Sequence, residues 1–285
     1  MNESIKISRL TADDAIHGLR LSTQAGWNQT LSEWNLILND SNSICIGAEL
    51  DDQIVATAAA INYNPDFTWI AMVLTDIKFR RQGISKLVLT ALLKTLGNKR
   101  TIKLDATPAG QALYSQFGFK AEYKIFRFVG STFPGQLYKN KKISLALKPH
   151  YQDMILSDMA QFGANRSIYF DWIKLNFSSN SYLIFDSEKI TGFICGREGK
   201  NYMHLGPMLC SKISEAIDLL QYSLGKKYKL PVIVDVPESK SELIHWLESN
   251  GFIQQRAFVR MYKNGNTASD PVLDSYLIAG PEFGK

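Results

Sequence analysis

The segment Arg80-Arg81-Gln82-Gly83-Ile84-Ser85 carries the clearest chemical signal, because it follows a continuous apolar run and opens a stretch with leucines at helical spacing. The first amides of a helix lack backbone partners and lie at the positive end of the helix dipole, which suits a pyrophosphate. Gly83 would let a phosphate approach the backbone, and Ser85 would leave room for it. Arg80 and Arg81 would add charge-assisted hydrogen bonds. The alternative from these residues alone is a capped surface helix with two solvated arginines.

A second polar segment, Ala25-Gly26-Trp27-Asn28-Gln29-Thr30, separates two stretches of helical spacing. Trp27 offers an apolar or cation-binding face, and Asn28 and Gln29 offer fixed hydrogen bonds. These residues predict either part of a binding pocket or a helix-capping turn with a half-buried tryptophan. Two other tryptophans are predicted to be core residues, Trp34 and Trp69.

The histidines and cysteines give no sign of a metal site or a nucleophile. The histidines show no metal-ligand spacing and no pairing with Cys or Asp. The cysteines are scattered and odd in number, which predicts buried free thiols in a reducing compartment. We therefore expect no metal. These residues are His17, His150, His204, His245, Cys45, Cys195 and Cys210.

Length and composition predict an ordinary globular protein of two domains. The 285 residues exceed a common domain of about 100–150 residues. The net charge of +5 is modest and the basic residues are spread through the chain, so nucleic-acid binding is not expected. The sequence shows no apolar run of about 18 residues and no secretion signal, so we expect no membrane span and a cytoplasmic location.

The elements around the polar segments alternate between strand and helix. Thr68–Thr75 is a continuous apolar run and predicts a central strand buried on both faces. The whole alternation places the chain in the α/β class in the broad sense. It predicts an α+β arrangement, in which helices cover the faces of a mixed sheet. Two short helices in 13–39 are followed by strands at 43–49, 54–63 and 68–75, a helix at 83–96, a strand at 101–106, a helix at 109–117 and a strand at 121–129.

Two pieces of this pattern recur about 130 residues later in the same order. Leu113-Tyr114-Ser115-Gln116-Phe117-Gly118-Phe119 resembles Leu247-Glu248-Ser249-Asn250-Gly251-Phe252. Likewise, Leu104-Asp105-Ala106-Thr107-Pro108 has a counterpart in Val234-Asp235-Val236-Pro237. The shared order predicts an internal duplication of one fold.

The loop and its flanking elements resemble the GNAT N-acetyltransferase superfamily, whose acyl-CoA motif is Arg/Gln-x-x-Gly-x-Gly/Ala between the fourth strand and the third helix. Arg80, Gly83 and Ser85 fall on the three motif positions, with serine in place of glycine or alanine. The resemblance implies acetyl-CoA as co-substrate, with its pantetheine arm bonded to a strand that splays from its neighbour. Thr107 stands where many members have an asparagine that contacts pantetheine. The other implied cofactor-binding residues are Val73, Leu74, Thr75, Arg80, Arg81, Gln82, Gly83, Ile84 and Ser85.

The same resemblance gives Tyr114 a catalytic role, because many members have a tyrosine here that protonates the CoA thiolate. A phenol has a pKa of about 10, above that of a thiol near 8.5, and remains protonated at neutral pH. The alternative is a tyrosine that packs beside Phe117 and Phe119. The sequence does not identify the general base. Asp76 and Asp105 are candidates, but each also suits a structural role as a turn former or a hydrogen-bonded carboxylate.

The second half resembles the C-terminal acetyltransferase-like domain of bacterial tandem proteins. The position of the phosphate loop falls on 213–218, which lacks glycine and carries two carboxylates that would repel a diphosphate. Leu247 takes the place of Tyr114. This copy is predicted not to bind CoA, and it would shape the acceptor pocket, form an interface or serve packing alone. The polar groups named for a pocket are Arg166, Arg197 and Asp235.

Together these features predict two tandem GNAT-like domains, at 1–130 and 143–285, joined by a linker at 131–142. Each would be a mostly antiparallel sheet flanked by helices. The implied reaction is direct transfer of acetyl from acetyl-CoA to a primary amine of a small molecule or peptide, with Trp27, Asn28 and Gln29 at the acceptor. A sensor that binds acyl-CoA without turnover is the main alternative. A strand shared between the halves, or between two chains of a homodimer, fits the same organisation.

Overall fold

The computed structural model describes residues 5–65, 67–97, 100–132, 140–265 and 274–284. Within these residues the chain forms eight α-helices and thirteen strands. The first copy of the pattern contains β1 (Lys6–Arg9), α1 (Ala15–Gln24), α2 (Leu31–Asn39), β2 (Ile44–Leu50), β3 (Gln53–Asn64), β4 (Phe67–Thr75), α3 (Ile84–Leu96), β5 (Thr101–Ala106), α4 (Pro108–Gln116) and β6 (Lys120–Gly130). The second contains β7 (Ile143–Leu145), α5 (His150–Phe162), α6 (Ser167–Asn176), β8 (Tyr182–Asp186), β9 (Lys189–Glu198), β10 (Met203–Cys210), α7 (Ile213–Leu224), β11 (Val232–Pro237), α8 (Ser241–Ser249) and β12 (Ile253–Lys263), followed by β13 (Ser275–Leu277).

The predicted duplication is confirmed by this order of elements. From α1 to β6 and from α5 to β12 the chain runs through the same series of helices and strands. The Gly-Phe turns also match in detail: the amide of Phe119 donates to Tyr114 O at 3.2 Å, and the amide of Phe252 donates to Leu247 O at 3.0 Å. The glycine before each phenylalanine has a positive φ, +82° at Gly118 and +80° at Gly251. Leu247 therefore occupies the position of Tyr114, as predicted.

The described residues divide into two compact units. Unit 1 is drawn from Met1–Leu104, Ala112–Lys120 and Tyr262–Asn266. Unit 2 is drawn from Asp105–Gln111, Ala121–Met261 and Thr267–Lys285. The predicted domain boundaries at 130 and 143 stay a prediction. None of the described helices is long and apolar enough to cross a membrane.

Unit 1 is built on the sheet order β1-β2-β3-β4-β5, in which only the β4–β5 pair is parallel. Its core contains Trp34 and Trp69, both fully buried, as predicted. Gly18 on α1 allows the close packing of α2, because a Cβ there would lie 2.5 Å from the Trp34 ring. Helix α2 begins with a capping box in which Thr30 and Glu33 exchange hydrogen bonds.

Unit 2 contains the strand order β12-β6-β11-β10-β9-β8-β7, with β13 also paired to β10. The β10–β11 pair is parallel, whereas β6–β11, β9–β10, β8–β9, β7–β8 and β10–β13 are antiparallel. Residues 125–130 of β6 pair with 232–237 of β11. The last strand of the first copy thus completes the sheet of the second, which confirms that a strand is shared between the two halves. All three cysteines are free and buried, as predicted.

Candidate active site

A bulge in β4 lies just after the point where the pairing of this strand with β5 ends. Met72 has a φ of +52°, which is rare for a residue with a long side chain, and the β3–β4 register shifts at this point. The buried hydroxyl of Thr57 on β3 donates to Met72 O at 2.8 Å and holds the bulge. Before it, β4 and β5 pair from Phe67–Thr101 to Trp69–Lys103; among the described residues their pairing continues no further. The C-terminal half of β4 therefore has backbone groups free for a ligand, as a splayed pair requires.

The predicted phosphate loop leads from β4 into α3. Arg81 and Gly83 have φ values of +63° and +80°, and Gly83 is the N-cap of α3 without a side-chain cap. A Cβ built on Gly83 meets no atom within 4 Å, so the space beside the first amides of the helix is open. The side chains of Arg80 and Gln82 are exposed. The loop therefore combines an uncapped helix start that has open space beside it with two exposed arginines, features that suit the binding of an anion.

Three predicted residues are joined at the base of this loop. Thr75 Oγ1 and Ser85 Oγ lie 2.7 Å apart, and Arg80 Nε donates to Thr75 O at 3.3 Å. The serine that replaces the usual glycine or alanine is therefore held by β4. Ile84 and Leu74 are buried, whereas Val73 is half-buried.

Tyr114 lies on α4 and is only 8% exposed. Its ring packs edge-on against Phe119, with the centroids 5.9 Å apart, which is one of the two contacts of the packing alternative. Burial raises the pKa of the Tyr114 phenol above its usual value. The group therefore keeps its proton throughout the neutral range, which a proton donor requires.

The two candidate bases are occupied by ion pairs. Burial alone would raise the pKa of Asp76, but hydrogen bonds from Arg20, Gln24 and the Lys78 amide lower it below its usual value. Asp76 also forms an ion pair with Arg20. Asp105 accepts two hydrogen bonds from Arg260, at 2.8 and 2.9 Å. Both carboxylates are thus structural anchors in this structure.

Helix α1, which leads into the α1–α2 loop, is tied to the end of β4 through these contacts. Arg20 reaches Ile54 O at 2.7 Å as well as Asp76, and Gln24 Nε2 donates to Asp76 at 3.2 Å. Trp27 is half-buried, and Asn28 is buried. Gln29 is also buried, and its Oε1 has no hydrogen-bond partner among the described residues. Such an acceptor suits a ligand that brings a donor.

Thr107 and the polar residues of the second half make local contacts in unit 2. Thr107 Oγ1 accepts from the Gly110 amide at 3.2 Å at the start of α4. Arg166 forms two hydrogen bonds with Asp158, and Asp235 forms two with Arg127. Within the part of the chain that the structure describes, no group of three or more His, Cys, Asp or Glu is placed to hold a metal ion.

Thr57, Met72 and Arg20 were not among the residues predicted from the sequence. Methionine is not a residue that favours positive φ, so the bulge leaves no signal in composition. Arg20 and Gln24 do share a helix face at a spacing of four residues, but the partner Asp76 lies more than 50 positions away.

Two family models cover most of the chain. The model described as "Acetyltransferase (GNAT) family" matches residues 14–119, and the model described as "Acetyltransferase (GNAT) domain" matches residues 154–276. The chain belongs to the GNAT acetyltransferase family. It is a tandem GNAT protein and an acyltransferase, as predicted, and N-acetyl transfer is the general activity of its family.

Known relatives match along nearly the whole chain. The "Uncharacterized N-acetyltransferase YitH" of Bacillus subtilis (strain 168) is 22% identical over 239 residues, 82% of this chain and 83% of that protein. A putative acetyltransferase from Pyrococcus horikoshii has a TM-score of 0.77 at 20% identity, covering 98% of this chain and 95% of its own. A tandem GNAT protein from the clavulanic acid biosynthesis pathway has a TM-score of 0.60 at 10% identity, covering 91% and 98%. The two solved structures share their fold with this chain.

Proposed function

We propose that this GNAT protein transfers acetyl from acetyl-CoA to a primary amine, and that unit 1 holds the donor. The observation that supports it is the open loop at the start of α3, next to the unpaired half of β4. The loop would bind the diphosphate through its amides, Arg80 and Arg81. The backbone of Val73, Leu74 and Thr75 would bind the pantetheine arm.

The chain's own residues would then assist a direct transfer within a ternary complex. Acetyl-CoA supplies an activated acyl group, whose carbon–sulfur bond breaks as a carbon–nitrogen bond to the amine forms. Tyr114 would give its proton to the departing sulfur, and the amine would lose a proton to solvent, since Asp76 and Asp105 are already paired. Burial raises the pKa of the phenol, so Tyr114 holds its proton at neutral pH and has one to give when the thiolate leaves.

The proposed acceptor is a small-molecule or peptide amine that contacts the α1–α2 loop. Trp27 would pack on its carbon skeleton or its ammonium group. Gln29 Oε1, which is buried and unpartnered, would accept a hydrogen bond from the acceptor. The cytoplasmic location, the homodimer and the absence of nucleic-acid and membrane partners remain predictions.

A sensor that binds acyl-CoA without turnover is the second candidate, and the pairing of both candidate bases favours it. The two are separated by titrating acetyl-CoA into the full chain by calorimetry and then measuring CoA release with a panel of amines. We expect one binding site per chain and amine-dependent CoA release. Binding without release would support the sensor, and no binding would overturn the proposal for unit 1.

A further inference from the structure

Unit 2 contains a second splayed strand pair of the same kind as β4 and β5. The parallel pairing of β10 with β11 runs from Met203–Val232 to Leu205–Val234. Directly after it, the register of β10 shifts between Leu205 and Met208. We call the gap between two strands that stop pairing a cleft. The cleft between β10 and β11 has the same place in the fold as the one between β4 and β5, since the two pairs correspond in the order of elements.

The chain's own C-terminal segment, Asp274–Gly284, fills this second cleft. On one side β13 pairs with β10, with Leu277 opposite Met208, and the Cys210 amide donates to Asp274 O at 3.0 Å. On the other side the Ile278 amide donates to Asp235 O on β11 at 3.0 Å. A short strand of protein thus uses the backbone groups that splaying leaves free on both strands.

Gly206 marks the closest approach of the C-terminal segment to β10. Its φ is +149°, and a Cβ at this position would lie 2.1 Å from Ile278 O. Real Cβ atoms do not approach an oxygen so closely, so any side chain at residue 206 would push the segment away. The bulged part of β10 is therefore shaped for a neighbouring backbone.

Two buried arginines hold the far end of the segment. Arg197 donates to Ala279 O at 2.7 Å and forms an ion pair with Glu282. Arg166, itself paired with Asp158, donates to Phe283 O at 3.1 Å. The Phe283 ring packs against Tyr169, with centroids 5.0 Å apart. These contacts account for Arg166 and Arg197, which the sequence had offered as acceptor-pocket residues.

We propose that the cleft of unit 2 is a binding site for an extended apolar peptide, and that Asp274–Gly284 occupies it in place of an acyl donor. The identification of the cleft as a donor cleft rests on the function proposed for unit 1. A peptide fits this cleft because β10 and β11 both offer unpaired backbone groups and Gly206 leaves room for a second backbone. Arg166 and Arg197 in addition donate to carbonyl oxygens of the segment. The chain would therefore have one donor site, even though it has two GNAT units.

Hydrogen–deuterium exchange on the full chain tests the proposal, with and without acetyl-CoA. We expect the peptide 274–284 to exchange slowly in both conditions, while 73–85 in unit 1 becomes protected on adding acetyl-CoA. Exchange of 274–284 at the rate of a free peptide, or its release by acetyl-CoA, would overturn the internal ligand. Failure of 73–85 to respond would count against the function of unit 1 alone.

The variant Gly206→Ala supplies the matched structural test. Its Cβ should raise exchange in 274–284 by at least about tenfold, because local opening then costs less free energy. The control is Gly251→Ala, in the same unit, where φ is also positive, at +80°, but a Cβ meets no atom within 4 Å, so it carries backbone strain without the contact. If neither variant changes exchange in 274–284, the close contact at Gly206 is wrong and the proposal fails.

Discussion

Tyr114 shows how one residue's surroundings fix its chemistry. Its side chain is buried against Phe119, and burial raises the pKa of the phenol. Among the described residues no hydrogen bond engages the hydroxyl, so its proton is not committed elsewhere. Packing and proton donation are therefore compatible roles for this tyrosine, although the sequence offered them as alternatives.

We predict that Tyr114→Phe will lower kcat by about a hundredfold, because loss of a general acid commonly costs that much. The acetyl-CoA dissociation constant should change little, since the ring and its packing remain. Steady-state kinetics and calorimetry measure the two quantities. Tyr63→Phe, on β3 of the same unit, is the control and should leave kcat unchanged. Full activity of Tyr114→Phe would assign proton donation to another group.

Thr57 would affect acetyl-CoA binding indirectly, because it holds the bulge of β4. Thr57→Val keeps the shape but leaves the buried Met72 carbonyl without its donor, which costs about 1–3 kcal/mol of stability. We predict lower acetyl-CoA affinity as well, because the amides after Met72 would lose their orientation. Thr57→Ser restores the hydroxyl and should recover both properties. A variant that is less stable but binds acetyl-CoA normally would limit Thr57 to a structural role.

At the scale of elements, the start of α3 is where sequence and structure agree most closely. The helix was predicted at 83–96 and lies at Ile84–Leu96, and the glycine of the motif is its N-cap. Local rules are enough here, because a positive φ, an apolar helix face and a glycine are all written in neighbouring residues. The bulge in β4 is different, since it depends on Thr57, fifteen residues away.

The two ends of α3 offer a matched pair of substitutions. Gly83 and Gly97 have φ values of +80° and +72°, and a Cβ at either meets no atom within 4 Å. Glutamate adds the same charge at either position, and the backbone strain is at least as large at Gly97, whose φ of +72° and ψ of −172° are nearly restricted to glycine, so strain alone would not single out Gly83. We predict that only Gly83→Glu abolishes acetyl-CoA binding by calorimetry, since only that end faces the diphosphate. Equal effects of Gly83→Glu and Gly97→Glu would remove the loop from the binding site.

The contact of α1 with the end of β4 should make stability depend on acid pH. Burial opposes ionisation of Asp76, but the hydrogen bond from Arg20 prevails and lowers its pKa. A carboxylate with a lowered folded pKa stabilises the fold above its unfolded pKa of about 4. That stability is lost as the pH falls through the folded pKa. Asp76→Asn should therefore unfold more easily at pH 7 and lose less stability between pH 5 and pH 3 than the parent. Denaturant titration measures this, with exposed Asp52→Asn as the control.

At the scale of the whole molecule, the internal repeat could be predicted from the sequence, but the strand pairings that complete the second sheet could not. The two copies share turns at fixed offsets, so one sequence is enough to detect them. The pairing of β6 with β11 and the insertion of β13 beside β10 join segments far apart in the chain. Backbone hydrogen bonds between strands do not depend on residue type, and many strand registers satisfy the same apolar pattern, so the sequence does not show which strands pair. Arg197 and Arg166 could be singled out as unusual, but not assigned to the C-terminal segment.

The shared strand gives a last test of how the two copies depend on each other. Arg127 on β6 donates two hydrogen bonds to Asp235 on β11, both at 2.7 Å, and the Asp235 side chain is fully buried. Removing one partner of a buried ion pair costs about 3–5 kcal/mol, because the other charge is left without compensation.

Asp235→Asn should therefore lower the melting temperature of unit 2 strongly and speed exchange in residues 125–130. Asp186→Asn breaks an exposed pair with Lys142 and should have little effect. If Asp235→Asn leaves 125–130 protected, β6 is held by the apolar face of the sheet alone. Fast exchange of 125–130 in Asp235→Asn would instead show that β6 has left the sheet. The second copy would then depend for its stability on a strand that the first copy supplies.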